Sequence, residues 1–170
     1  MPEIGKTSNE FYIASYQKTD GSNTTMAIRS VNYQAAENLT FTGGVGGSTN
    51  FNGNNSLMLE GKAKYNVNDH FSVQARLRNS LSSKQNSTQF RLTTGYKTNV
   101  SDNTSIYVNP YVSAKYDCST GKLTTDKGVF AGVSQKLHPM VTLSGEVQKY
   151  NGLEGGAENW GINAILSYNF

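Results

Sequence analysis

Along most of the chain, apolar and polar residues alternate one by one, the period of an extended strand with two unlike faces. The clearest runs are 57–67 (LMLEGKAKYNV), 71–79, 88–99, 104–116, 128–137, 141–150 and the terminal WGINAILSYNF. Weaker alternation marks 10–18, 24–34 and 39–48. Helical periodicity is not evident anywhere, so the pattern predicts about ten strands, with eight or twelve as the neighbouring even counts.

The connections alternate too. AAEN, NDH, VSDN and HPM are short, whereas TDGSN, TNFNGNN, SLSSKQNS, DCSTGKLTTDK and NGLEGGAEN are longer and rich in Gly, Ser and Asn. In an up-and-down meander alternate turns lie at one end, so one end is trimmed and the other carries the long loops. That asymmetry is expected of a closed, antiparallel transmembrane β-barrel, and the whole chain, 1–170, reads as one such domain.

Alternation alone does not say which face is outside, but the distribution along the apolar row does. Tyr65, Phe71, Tyr96, Tyr168 and Phe170 fall near the short turns, and Phe90, Tyr116 and Trp160 near the long loops. Between them lie smaller or aliphatic residues such as Leu59, Ala63, Val73, Leu92, Val112, Leu143 and Leu166. Two aromatic girdles around an aliphatic band match the two interfaces of a membrane. The opposite row then becomes the lumen: Glu60, Lys62, Lys64, Arg76, Arg78, Arg91, Lys97, Lys115, Lys136 and Glu146, with Gln, Ser, Thr and Tyr between. Closure gives every ladder hydrogen bond a partner and leaves no edge in lipid.

The last nine residues, INAILSYNF, resemble the C-terminal β-signal of bacterial outer-membrane proteins, in which alternating hydrophobic residues end on an aromatic one. Ile162, Ala164, Leu166, Tyr168 and Phe170 occupy the matching places. The resemblance implies a bacterial outer membrane, contact with its lipid, and recognition by the barrel-assembly machinery.

Composition fits this picture. Apolar residues make up 36%, aromatic residues 11% and charged residues 16% of 170 residues, too aromatic and too little charged for a disordered chain. There is no apolar run of about 18 residues and hence no membrane-spanning helix. The opening MPEIGKTSNE lacks a charged-then-apolar leader and fits either a natural start or a mature chain. A net charge of +3 without Lys/Arg runs gives no nucleic-acid footprint.

Candidate chemistry is sparse. Acid–base or nucleophilic catalysis needs a His near a Ser or carboxylate, and His70 and His138 fall in separate short turns. Cys118 is a lone loop thiol, no ligand cluster suggests a metal, and no cofactor is expected. The six N-x-S/T triplets, at Asn23, Asn38, Asn54, Asn86, Asn99 and Asn103, follow from the abundance of these residues. Pro110 interrupts the run 104–116 and predicts a bulge or broken pairing; Arg29 fits neither face; GGVGG suggests a local kink.

The lumen is more informative. Eight basic residues face two acids there, and unpaired positive charge needs water or anions. The expectation is a narrow, water-filled pore that favours small anions, not an enzyme, although long Arg and Lys side chains could close the bore. Two alternatives stand beside it: a non-conducting structural barrel acting through its external loops, and a soluble lipocalin-like barrel with the apolar row turned inward.

Overall fold

The structure, a computed structural model, describes residues 4–19, 21, 23–50, 53–83, 86–152 and 158–170. Ten strands follow one another: β1 (Thr7–Lys18), β2 (Asn23–Ala36), β3 (Leu39–Asn50), β4 (Asn55–Asn66), β5 (Phe71–Leu81), β6 (Ser87–Asn99), β7 (Thr104–Asp117), β8 (Lys122–His138), β9 (Val141–Gly152) and β10 (Asn159–Asn169). Each pairs antiparallel with its sequence neighbours, and β1 pairs with β10 from Glu10↔Asn169 to Lys18↔Gly161, which closes the barrel. No helix of the described residues is long and apolar enough to cross a membrane.

The apolar row points outward. Leu59, Val73, Leu92, Val112, Val133, Leu143 and Leu166 are exposed, as are the rings of Tyr65, Phe71, Phe90, Tyr96, Tyr116 and Trp160. This overturns the lipocalin-like alternative, which requires that row inside. Rings at the short-turn end are more numerous than the pattern implied, because Tyr33 and Phe41, paired across β2 and β3, join them. Phe71 and Tyr96 touch there, with ring centroids 5.1 Å apart, as do Tyr168 and Phe170 at 5.5 Å.

The ends of the barrel differ less than the sequence suggested. At one end the links span residues 37–38, 67–70, 100–103 and 139–140; at the other, 19–22, 51–54, 82–86, 118–121 and 153–158. Parts of four of these longer links lie outside the described residues. The expected loop DCSTGKLTTDK is mostly a tight hairpin: β7 runs to Asp117 and β8 already begins at Lys122, six residues before the run at 128. Thr124 and Thr125 give this stretch β-propensity that its weak alternation concealed.

Pro110 breaks pairing without a bulge. Between β6 and β7 the ladder lapses from Thr93↔Tyr111 to Tyr96↔Val108 with the register unchanged, while Pro110 still sits opposite Val129 on β8. The ring removes a ladder donor on one side only.

Inside, the first strands carry what the alternation hid. Tyr12, Ala14, Met26, Ile28 and Met58 form a buried apolar cluster within the barrel, with Tyr16 and Ile165 packed against it. Ala14 and Ile28 are 0% exposed. Ile165, the one residue out of step in the terminal strand, therefore faces inward into apolar company. The GGVGG segment makes room for this cluster: a Cβ on Gly46 would lie 2.0 Å from the Ala27 carbonyl oxygen and 2.7 Å from Ile28 Cα. Only a glycine permits β2 and β3 to turn this tightly. Gly132 serves a similar corner across the barrel, where the Tyr107 ring lies over it and a Cβ would meet that ring at 2.7 Å.

Candidate functional site

The inward row of β4, β5 and β6 forms a cationic wall. Cross-strand register aligns Lys62, Arg76 and Arg91 side by side, and one step along the strands aligns Glu60 with Arg78 and Gln89. Like charges directly opposite one another destabilise a sheet, so this wall needs compensation. Glu60 supplies it. Arg78 donates to Glu60 Oε2 through Nε (2.7 Å) and Nη2, Lys62 Nζ lies 2.7 Å from Oε1, and Arg76 Nε is 3.9 Å from Oε2.

Neutral partners hold the rest of the wall. Arg76 Nη2 donates to Gln89 Oε1 at 2.7 Å. The Arg91 guanidinium lies 4.1 Å from the centroid of Tyr111 and 5.2 Å from that of Phe130, two rings stacked 4.9 Å apart. A flat cation over flat rings is favourable and leaves its edge available for hydrogen bonding. The Nε atoms of Arg76 and Arg91 are buried and have no hydrogen-bond partner in the protein.

The far wall is built differently. Glu146 on β9 accepts from Tyr107 Oη at 2.9 Å and from Asn163 Nδ2 at 2.7 Å. Gln148 Nε2 donates to Tyr111 Oη at 2.5 Å, and Ser113 Oγ to Asp126 Oδ2 at 3.0 Å. One contact bridges the lumen: Arg78 Nη2 donates to Tyr12 Oη at 3.4 Å, and Lys62 Nζ stands 5.3 Å from the Tyr12 ring centroid.

Above this bridge, toward the longer loops, a cavity of about 510 Å³ opens among Asn50, Asn54 and Ser82. It reaches down to Arg76, Arg78 and Arg91, with Lys18, Lys115 and Asp126 on its sides and Met26 and Met58 along one flank. The structure thus brings Glu60, Lys62, Arg76, Arg78 and Arg91 together. Lys115 lies toward the cavity mouth, opposite Gln89. Lys64, Lys97 and Lys136 share the inward face but lie toward the short-turn end, opposite Gln74, Tyr107 and Thr142. Sequence reasoning placed Tyr111 in the inward row and Asn163 on the polar side of the last strand but missed Tyr12, Asp126 and Phe130 as parts of the lumen; the contacts across strands were not readable.

Residues left unplaced by the pattern now have positions. Arg29 points outward in the middle of β2, paired between Phe11 and Val45, with its guanidinium 5.8 Å from the Phe170 ring centroid. Lys149 lies over the Trp160 ring at 5.4 Å and pairs with Glu158 at 2.9 Å. The histidines serve turns: His70 Nδ1 lies 3.1 Å from the Lys97 carbonyl oxygen, and His138 Nδ1 accepts from the Met140 amide at 3.3 Å. Cys118 is exposed, and no His/Cys/Asp/Glu group suited to a metal occurs among the described residues.

A closed meander with an apolar outside and a hydrogen-bonded polar inside is a transmembrane β-barrel. No protein-family model matches the chain, and no curated protein matches it in sequence. Among solved structures it is similar to the KdgM porin, with TM-score 0.58 and 15% identity over 96% of this chain and 99% of that one. The KdgM porin in complex with disordered oligogalacturonate gives 0.56 and 14% over 95% and 99%; the NanC porin gives 0.54 and 11% over 93% and 98%. At these identities the likeness is one of fold: a small closed β-barrel of the architecture these porins share.

Proposed function

We propose that this chain is a narrow porin-like barrel of the bacterial outer membrane whose lumen favours small anions. The observation that carries this reading is the row Lys62, Arg76, Arg91, aligned across three strands beneath a polar cavity, with Glu60 as its ion-pair partner among the described residues and Asp126 on the cavity's side. Buried cations in such excess are tolerable only with water or anions beside them. The bound oligogalacturonate in one KdgM structure is itself a polyanion, which supports anionic solutes for a lumen of this fold. The apolar belt would contact membrane lipid, and the terminal row Ile162, Ala164, Leu166, Tyr168 and Phe170, all outward on the strand that closes the barrel, would serve as the assembly signal.

A second reading, a non-conducting envelope barrel, is favoured by the Tyr12–Arg78 bridge and by the apolar cluster that fills one side of the lumen. Single-channel recording in planar bilayers separates the two. The pore reading expects stable steps whose reversal potential in a salt gradient shows anion preference, weakened by Arg76→Glu with Arg91→Glu. Clean insertion without conductance selects the second reading.

A further inference from the structure

We infer that Glu60 is the selectivity-determining residue of this lumen: a tethered carboxylate that occupies the strongest cationic donors and so sets how tightly a passing anion is held. The inference rests on the pore reading above. Glu60 sits in the middle of β4 with only 1% of its side chain exposed, next to Gly44 on one side and Arg78 on the other. Oε2 accepts both prongs of the Arg78 guanidinium, and the Lys62 ammonium lies against Oε1. A carboxylate arriving from the cavity would seek that same geometry.

Two further donors line the cavity beside Arg78. Arg76 and Arg91 both line it, and their Nε atoms have no partner in the protein. A solute anion therefore meets a cationic wall whose deepest position is already filled by the chain's own carboxylate. Conduction requires binding strong enough for entry and weak enough for exit, and an internal competitor supplies the second condition. The opposite carboxylate, Glu146, is held by the neutral donors Tyr107 and Asn163 and leaves the cationic wall untouched. Among the described acids Glu60 is the one ion-paired with the wall, so it bears on both its charge and its occupancy.

The test compares wild type, Glu60→Gln and the double variant Glu60→Gln/Lys62→Gln, each refolded into planar bilayers and recorded in potassium chloride gradients with added acetate. Removing one unit charge at this range shifts local ion energies enough to change the chloride-to-potassium permeability ratio on the order of threefold to tenfold. The ratio should rise in Glu60→Gln, and half-block of the chloride current should need less acetate by a similar factor. The double variant, which restores the local charge balance, should bring the ratio back toward wild type. Should Glu60→Gln not fold, Glu60→Asp keeps the charge but shortens the arm by one methylene, which loosens its hold on Arg78 and should lower the acetate needed for half-block. An anion-selective wild type with an unchanged or lower ratio in Glu60→Gln, or with an unchanged acetate half-block in Glu60→Asp when the former does not fold, overturns the role of Glu60 and leaves the pore reading standing. A wild-type barrel that inserts without conducting overturns both.

Discussion

The two sides of the lumen are made by the same alternation and do opposite things. On β1, β2 and the loop-proximal part of β4, inward positions carry Tyr12, Ala14, Met26, Ile28 and Met58, which pack as a small core. From the centre of β4 to β6 they carry Glu60, Lys62, Arg76, Arg78 and Arg91, of which the three arginines line a polar cavity. The outer face is apolar because it meets lipid. An inward core is different: it removes apolar surface from lumen water, and that burial is favourable. The comparison teaches that one side of this barrel holds the shape while the other handles charge.

The sharpest way to break that division is at the corner that admits the core. Gly46→Val places its Cβ against the Ala27 carbonyl and Ile28 Cα, both backbone, so no side-chain adjustment relieves the clash. The expected outcome is failure to close, seen as loss of the compact, heat-modifiable band of folded barrels on unboiled gels; a folded band of normal mobility would contradict the packing described. Next in size is Ile28→Ala, which leaves a void among fully buried neighbours and should lower stability by about 2–5 kcal/mol in urea unfolding from lipid vesicles. Ion selectivity should stay unchanged in this variant, and a changed reversal potential would show that the two sides are coupled.

The smallest expected effect concerns the outside of the same region. Arg29 lies in the middle of β2 on the lipid face and leans toward the Phe170 ring. A basic residue near the middle of a membrane strand is destabilising, less so where its head reaches the interface. Arg29→Leu should therefore raise barrel stability by about 2 kcal/mol in the same vesicle assay. A loss of stability would mean that Arg29 meets a partner other than lipid, and would move attention to this outer face.

Much of this arrangement was legible beforehand, for identifiable reasons. Leu57 to Tyr65 and Phe71 to Leu81 alternate cleanly because one face meets lipid and the other the lumen, and parity alone then sets every side chain from Leu59 and Glu60 onward. The outward set at the terminal strand was equally plain. The pattern failed where both faces are apolar or small: Ile28 beside Arg29, and the glycines of β3, follow no simple alternation because one set fills a core and the other clears space for it. It also failed at Lys122 to Lys127, where a polar stretch continues a strand beyond the band that lipid selects for.

A closed meander of about ten strands with an apolar row outside and a polar row inside was readable from the chain alone, because period-2 patterning and turn chemistry are local properties. Only the tertiary structure decided which inward residues meet. Arg78 gripping Glu60 and touching Tyr12, Arg91 lying over Tyr111 and Phe130, and Glu146 held by Asn163 depend on register and on the curvature set at Gly46 and Gly132. Those contacts join residues far apart in the chain, and closure of the sheet is the physical step that brings them together.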